Sequence, residues 1–215
     1  MFKWFLSHQW KEMTRSSFWQ KSLVINLIIG FFMLIMFSYL VLLGFFIDEV
    51  LKDVRPDSDP FIIFNGALIY YLGIDLVMRF FLYSLPVLNV ESYLHLPVKK
   101  STVLHFILMK SAVNIFNVLP LLVFIPFTLN VIVVNYSGLY ALKWLALMLI
   151  LIFNNSFLLH YLKRRFTDKP IYAGIFAGII ILAMVLDNLA IISLTGYSSF
   201  AIIYMVNNPL LILLA

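Results

Sequence analysis

Five stretches of this chain, 22–47, 61–85, 103–127, 139–162 and 171–194, each run for more than about 20 residues with almost no charge, the length a helix needs to cross a bilayer. No soluble core in 215 residues has room for five such runs, so lipid must be the solvent for much of the chain. Apolar residues make up 63% of the sequence and charged ones 12%, against about half and about a quarter in a soluble domain. The predicted fold class is therefore all-α: a polytopic membrane bundle of five or six transmembrane helices. The stretch 200–215 supplies the sixth candidate. It is shorter, carries Asn207, Asn208 and Pro209, and reads as a span, a re-entrant segment or a span cut off by the chain end.

Charge between the runs sets the orientation. Twelve of the 15 basic residues fall in 1–21, 79–110 and 163–169. The alternate connection 48–59 holds Lys52 and Arg55 against Asp48, Glu49, Asp53, Asp57 and Asp59, and 128–138 holds no charge. Short cytoplasmic loops collect Lys and Arg, so the N-terminus is expected in the cytoplasm and 48–59 and 128–138 outside. Lys143 is expected to snorkel outward. The net charge of +5 thus follows membrane topology and does not form a nucleic-acid surface.

Before the first run lies a polar, aromatic segment rather than a cleavable signal. Over 1–17 a helical period places Phe2, Phe5, Leu6, Trp10 and Met13 on one face and Lys3, Ser7, Lys11, Glu12 and Arg15 on the other. Basic residues opposite Trp and Phe suit a helix lying in the membrane interface. The chain thus divides into an N-terminal interfacial amphipathic helix, 1–21, and a transmembrane domain, 22–215. Its membrane partner is lipid.

The polar hinge 86–102 separates the second and third runs. Pro86 breaks the second helix. Residues 90–96 have room for two helical turns, which Pro97 ends. Lys99 and Lys100 face the anionic leaflet or an acidic partner, and Ser101 is suited to cap the next helix. Taken alone, this is either an ordinary turn with positive-inside lysines or a stiff element that cannot move without moving both flanking spans.

The run Tyr93-Leu-His-Leu-Pro-Val-Lys-Lys-Ser101, following an amphipathic N-terminal helix and two spans, resembles the permease subunit of type-2 ABC exporters. Asp75-Leu-Val-Met-Arg79 and Leu85-Pro-Val-Leu88, together with this hinge, resemble an uncharacterised family of permease-like proteins over about residues 60–110. The resemblance implies that 86–102 is a coupling helix docking on cytoplasmic ABC ATPase subunits, with Glu91, Tyr93, His95, Pro97, Lys99 and Lys100 as the docking surface. It further implies a bacterial inner-membrane exporter subunit that forms a homodimer or pairs with a homologous half. The chain stops inside an apolar segment with no charged cytoplasmic tail, so a fragment or one half of a fused permease is expected, and residues 195–215 are too few for that family's two re-entrant helices and a full sixth span. The alternative function is a non-transporting membrane scaffold or assembly factor.

Charges inside the runs are the remaining candidates. Asp75 and Arg79 lie four residues apart on one helical face, as an ion pair or as a polar site for substrate or gating. Asp187 lies late in the fifth run, towards the outer side, and is expected either to be neutralised by protonation or to meet Lys143 across the bundle. Asn114, Asn117, Asn154, Asn155 and Ser156 are expected to bond neighbouring helices.

Enzyme chemistry finds no constellation. There is no Gly-Lys for a phosphate loop and no His-Glu-x-x-His, so ATP hydrolysis is expected in a separate subunit. With no Cys there is neither thiol catalysis nor a thiolate site. His8, His95, His105 and His160 are scattered. Gly73-Ile-Asp75 lacks the apposed second aspartate of an intramembrane protease, Asp187 being expected nearer the other face. No catalytic residue, metal or cofactor is expected.

Overall fold

A computed structural model of the chain describes residues 23–82, 114–166 and 171–208. Six helices make up these segments: α1 (Leu23–Val54), α2 (Pro60–Leu82), α3 (Ile115–Phe127), α4 (Gly138–Phe166), α5 (Ile171–Asn188) and α6 (Leu194–Asn207). Among the described residues there is no strand. Four segments, Ile25–Val54, Pro60–Leu82, Ile115–Asn135 and Gly138–Lys163, are long and apolar enough to cross a membrane. The protein is a multi-pass, all-α membrane bundle. The amphipathic segment 1–21 and the hinge 86–102 lie outside the described residues.

Helix ends depart from the expected boundaries where local bonds extend or cut them. α1 continues past residue 47 to Val54, because Asp48 and Lys52 pair along the helix at 3.3 Å and this order of charges favours helix. The acidic connection shrinks to 55–59. Asp59 Oδ1 accepts from the Phe61 amide at 2.8 Å, and Pro60 occupies the first helical position, where a missing N–H is no loss. The expected loop 128–138 is mostly helix. α3 runs on through a π-helical segment, Thr128–Ile132, and a last turn, Val133–Asn135. Pro126 has no N–H for the Leu122 carbonyl, and just beyond it the ladder lengthens to bonds such as Val133 N–H to Thr128 C=O. Of the expected helix 103–127, residues 103–113 lie outside the described residues; α3 starts at Ile115, with Asn114 extended and its side chain accepting from the Phe116 amide.

The largest departure lies at the far end. The expected span 171–194 stops at Asn188. Ile191 N–H bonds to the Leu186 carbonyl and Ala190 N–H to the Asp187 carbonyl, both at 3.0 Å, the paired bonds of a Schellman ending. Ala190 there takes φ 57°, where glycine is usual. α6 then starts at Leu194. The two helices trace α2 in reverse order. A Cβ at Gly73 would meet Ile180, the Tyr70 hydroxyl reaches Ala183 and Asp187, a Cβ at Gly66 would meet Thr195, and Ser198 bonds to Asn65. The helices α5 and α6 are therefore one interrupted path antiparallel to α2.

The core lies between α2, α3, α4 and α6. Trp144 is fully buried at its centre, with the rings of Phe61, Phe64, Phe124 and Phe127 all within 6.3 Å of it, centre to centre. Phe64 and Phe127 stack at 4.0 Å. α1 stands apart over its first half, where Leu27, Phe31, Phe32 and Leu34 are exposed, and meets α3 at Gly44. Side chains such as these need lipid or protein around them rather than water. At the acidic end Tyr136 donates to Asp59 Oδ2 at 2.7 Å, joining the two turns there. Burial, and then that bond, push the Tyr136 hydroxyl well above its ordinary pKa.

Candidate functional site

Arg79 is 2% exposed among apolar helices. A lone guanidinium in that position would be strongly unfavourable, and four groups compensate it. Its Nε lies 2.7 Å from Asp75 Oδ2, one turn earlier on α2. Its Nη1 donates to Asn117 Oδ1 at 2.6 Å and its Nη2 to the Phe116 carbonyl at 2.6 Å. The Phe116 ring centre lies 5.7 Å from Cζ, within cation–π range.

The Phe116 carbonyl can accept because of the sequence four residues on. Pro120 occupies the position whose N–H would otherwise bond to it, and proline has none. The planar fork of Arg79 thus fills a vacancy that α3 creates in its own ladder. Asp75 is held from the other side by α4: Asn155 Nδ2 donates to its Oδ2 at 2.6 Å and to the Leu72 carbonyl at 3.2 Å. One charge pair on α2 therefore ties α3 and α4 together. Because Arg79 precedes Leu82 and Phe116 follows Asn114, the tie joins the two helix ends between which the hinge lies in sequence.

Of the expected ion-pair candidates, Asp75 and Arg79 do pair. Asn117 and Asn155 bond a neighbouring helix, and Asn114 instead caps its own. Asp187 is placed differently from expectation. Its Oδ2 accepts from the Tyr70 hydroxyl at 2.7 Å and from the Thr195 amide at 3.3 Å, so it serves α2 and the N-terminus of α6. Among the described residues Lys143 forms no ion pair with it. Tyr70 lies midway along α2, so the Asp187 carboxylate stands beside the middle of that helix, just before the break after Asn188. Asp75 and Asp187 keep separate partners. Glu91, Tyr93, His95, Pro97, Lys99 and Lys100 lie outside the described residues.

Sequence reasoning did not reach Tyr70, the Phe116 carbonyl or Asn65. Asn65 is fully buried; it accepts from Trp144 Nε1 at 2.9 Å through its side chain and from Ser198 Oγ at 2.7 Å through its carbonyl. Pro120, four residues after Phe116, was the one available signal for the carbonyl.

The model of a family of unknown function, DUF5687, matches residues 9–215. The chain belongs to the DUF5687 family. The match takes in every element of the bundle, so the Arg79 network and the interrupted α5–α6 path of this DUF5687 member both lie inside the family region. No curated protein and no solved structure matches it.

Proposed function

We propose that this protein is the transmembrane permease subunit of an ATP-driven exporter of the ABC type, in a bacterial inner membrane with its N-terminus cytoplasmic. The observation that carries this reading is the interrupted helix α5–α6. Its break leaves the Asp187 carboxylate and the start of α6 beside Tyr70, midway along α2. Discontinuous helices at mid-depth are the means by which many transporters place polar groups and helix ends within a bilayer. The Arg79 tie supports the mechanical half of the reading. A force on the hinge 86–102 would reach α2 and α3 as a joined pair, and α4 through Asn155. Two cytoplasmic ATPase subunits would supply that force, and a second copy or homologous half would complete the pathway. ATP hydrolysis itself belongs to the ATPase chains.

The test is a mild-detergent pull-down of the full-length protein from its native membrane, with mass spectrometry of what accompanies it. A stoichiometric ATPase, lost when 90–100 is replaced by a glycine-serine linker, is the expected result. A pull-down without an ATPase, or one that survives the replacement, moves the reading to a membrane scaffold.

A further inference from the structure

At the basic end of the bundle α2, α4 and α5 do not close on one another. They leave a groove of about 390 Å³, within the range of small-molecule sites. Its walls are aliphatic and aromatic: Leu76 and Phe80 on α2, Leu158 and Phe166 on α4, Tyr172 and Ile179 on α5. The rings of Phe166 and Tyr172 lie 5.0 Å apart where α4 and α5 approach the basic turn. The Lys163 ammonium stands 5.6 Å from the centre of the Phe80 ring, on the same rim. Here the sequence runs Lys163-Arg164-Arg165, and the stretch of α4 that is long and apolar enough to cross a membrane ends at Lys163.

We propose that this groove binds an anionic glycerophospholipid, one acyl chain lying along the apolar walls and the phosphate meeting Lys163 at the rim, with Arg165 adding positive charge at the same end of α4. An apolar groove within a membrane span offers nothing to the N–H and C=O groups of an extended peptide, whereas an acyl chain has none to satisfy. The cations supply the head-group choice. They lie at the end of the span, where a phosphate sits when its chain is in hydrocarbon, and basic pockets between membrane helices select anionic head groups. The Phe80 ring holds one of these cations at the rim instead of leaving it free in water. The proposal depends on the membrane setting and not on transport.

Native mass spectrometry of the full-length protein, delipidated into mixtures of phosphatidylglycerol and phosphatidylcholine with equal chains, tests it. The wild-type protein is expected to retain phosphatidylglycerol preferentially. Lys163→Gln with Arg165→Gln should lower that preference by roughly fivefold per residue. Ile179→Trp, which fills the groove with apolar atoms, should remove the bound lipid while helicity and monodispersity persist. Equal retention of both lipids by the wild-type protein overturns the proposal. So does a folded Ile179→Trp protein that keeps its phosphatidylglycerol, or one that loses only self-association, which would assign the groove to a second copy. If Ile179→Trp does not fold, the two glutamine substitutions, made outside the groove walls, decide alone.

Discussion

The guanidinium of Arg79 on α2 donates to the backbone carbonyl of Phe116 on α3 at 2.6 Å, a carbonyl that Pro120 leaves without its usual helical partner. The contact turns a weakness in one helix into a joint between two. Residues at a joint of this kind should not act independently. In a double-mutant cycle, Pro120→Ala returns an N–H to Phe116 and Arg79→Lys removes the fork that reaches it. The two effects on unfolding free energy are expected to depart from additivity by more than about 0.5 kcal/mol. Additive effects would mean that the carbonyl contact contributes nothing of its own.

Charge removal should reveal the same network differently. Arg79→Met leaves the half-buried Asp75 without its cation and is expected to destabilise by up to about 3 kcal/mol, the lower end of the cost of breaking a buried pair. Adding Asp75→Leu should recover much of that loss, because an apolar pair needs no compensation. Steric-trap or denaturant unfolding in detergent measures both. A double variant no better than the single one would place the stability in Asn117 and Asn155 instead of the ion pair.

Ala190 occupies a glycine position. With φ at 57°, its Cβ adds roughly 1–2 kcal/mol of strain, partly offset by the lower entropy of alanine in the unfolded chain. Ala190→Gly is therefore expected to raise the thermal midpoint slightly, and Ala190→Val to lower it clearly. A destabilising glycine would argue against the Schellman ending of α5.

Two glycines on α1 provide an internal comparison. A Cβ at Gly44 would lie 2.5 Å from the Val123 carbonyl oxygen and 3.1 Å from Pro126 Cβ, whereas at Gly30 nothing lies within 4 Å. Gly44→Ala is expected to cost about 1–3 kcal/mol by forcing α1 from α3. Gly30→Ala should be neutral or stabilise by up to about 1 kcal/mol through helix propensity. Cysteine crosslinking between α1 and α3, reduced only in Gly44→Ala, would locate the effect.

Exchanging the charges of Asp187 and Lys143 should not restore folding, since the carboxylate bonds to Tyr70 and Thr195. Tyr70→Phe is expected to cost about 1 kcal/mol, the net value of one hydrogen bond. Rescue by the exchange would return Lys143 to the position of partner.

Much of the architecture was legible from apolar run length alone, because lipid admits few backbone solutions other than a helix. The Asp75–Arg79 pair was legible too, since four residues is one turn. Boundaries were less so. Residues 48–54 read as loop from their charge, yet the Asp48–Lys52 pair keeps them helical. Residues 128–135 read as loop for want of charge, yet Pro126 lengthens the ladder without ending it.

What the sequence determined by itself was everything set by local chemistry and solvent: the helical class, the membrane as surroundings, the basic and acidic ends, and the polar residues that would need partners. Which partners they took was decided only by tertiary structure. Arg79 met Phe116, Asp75 met Asn155, and Asp187 met Tyr70 across 37, 80 and 117 residues of chain. Burial makes a partner obligatory for each polar group, but its identity depends on which helix faces pack, and no short stretch of sequence records that.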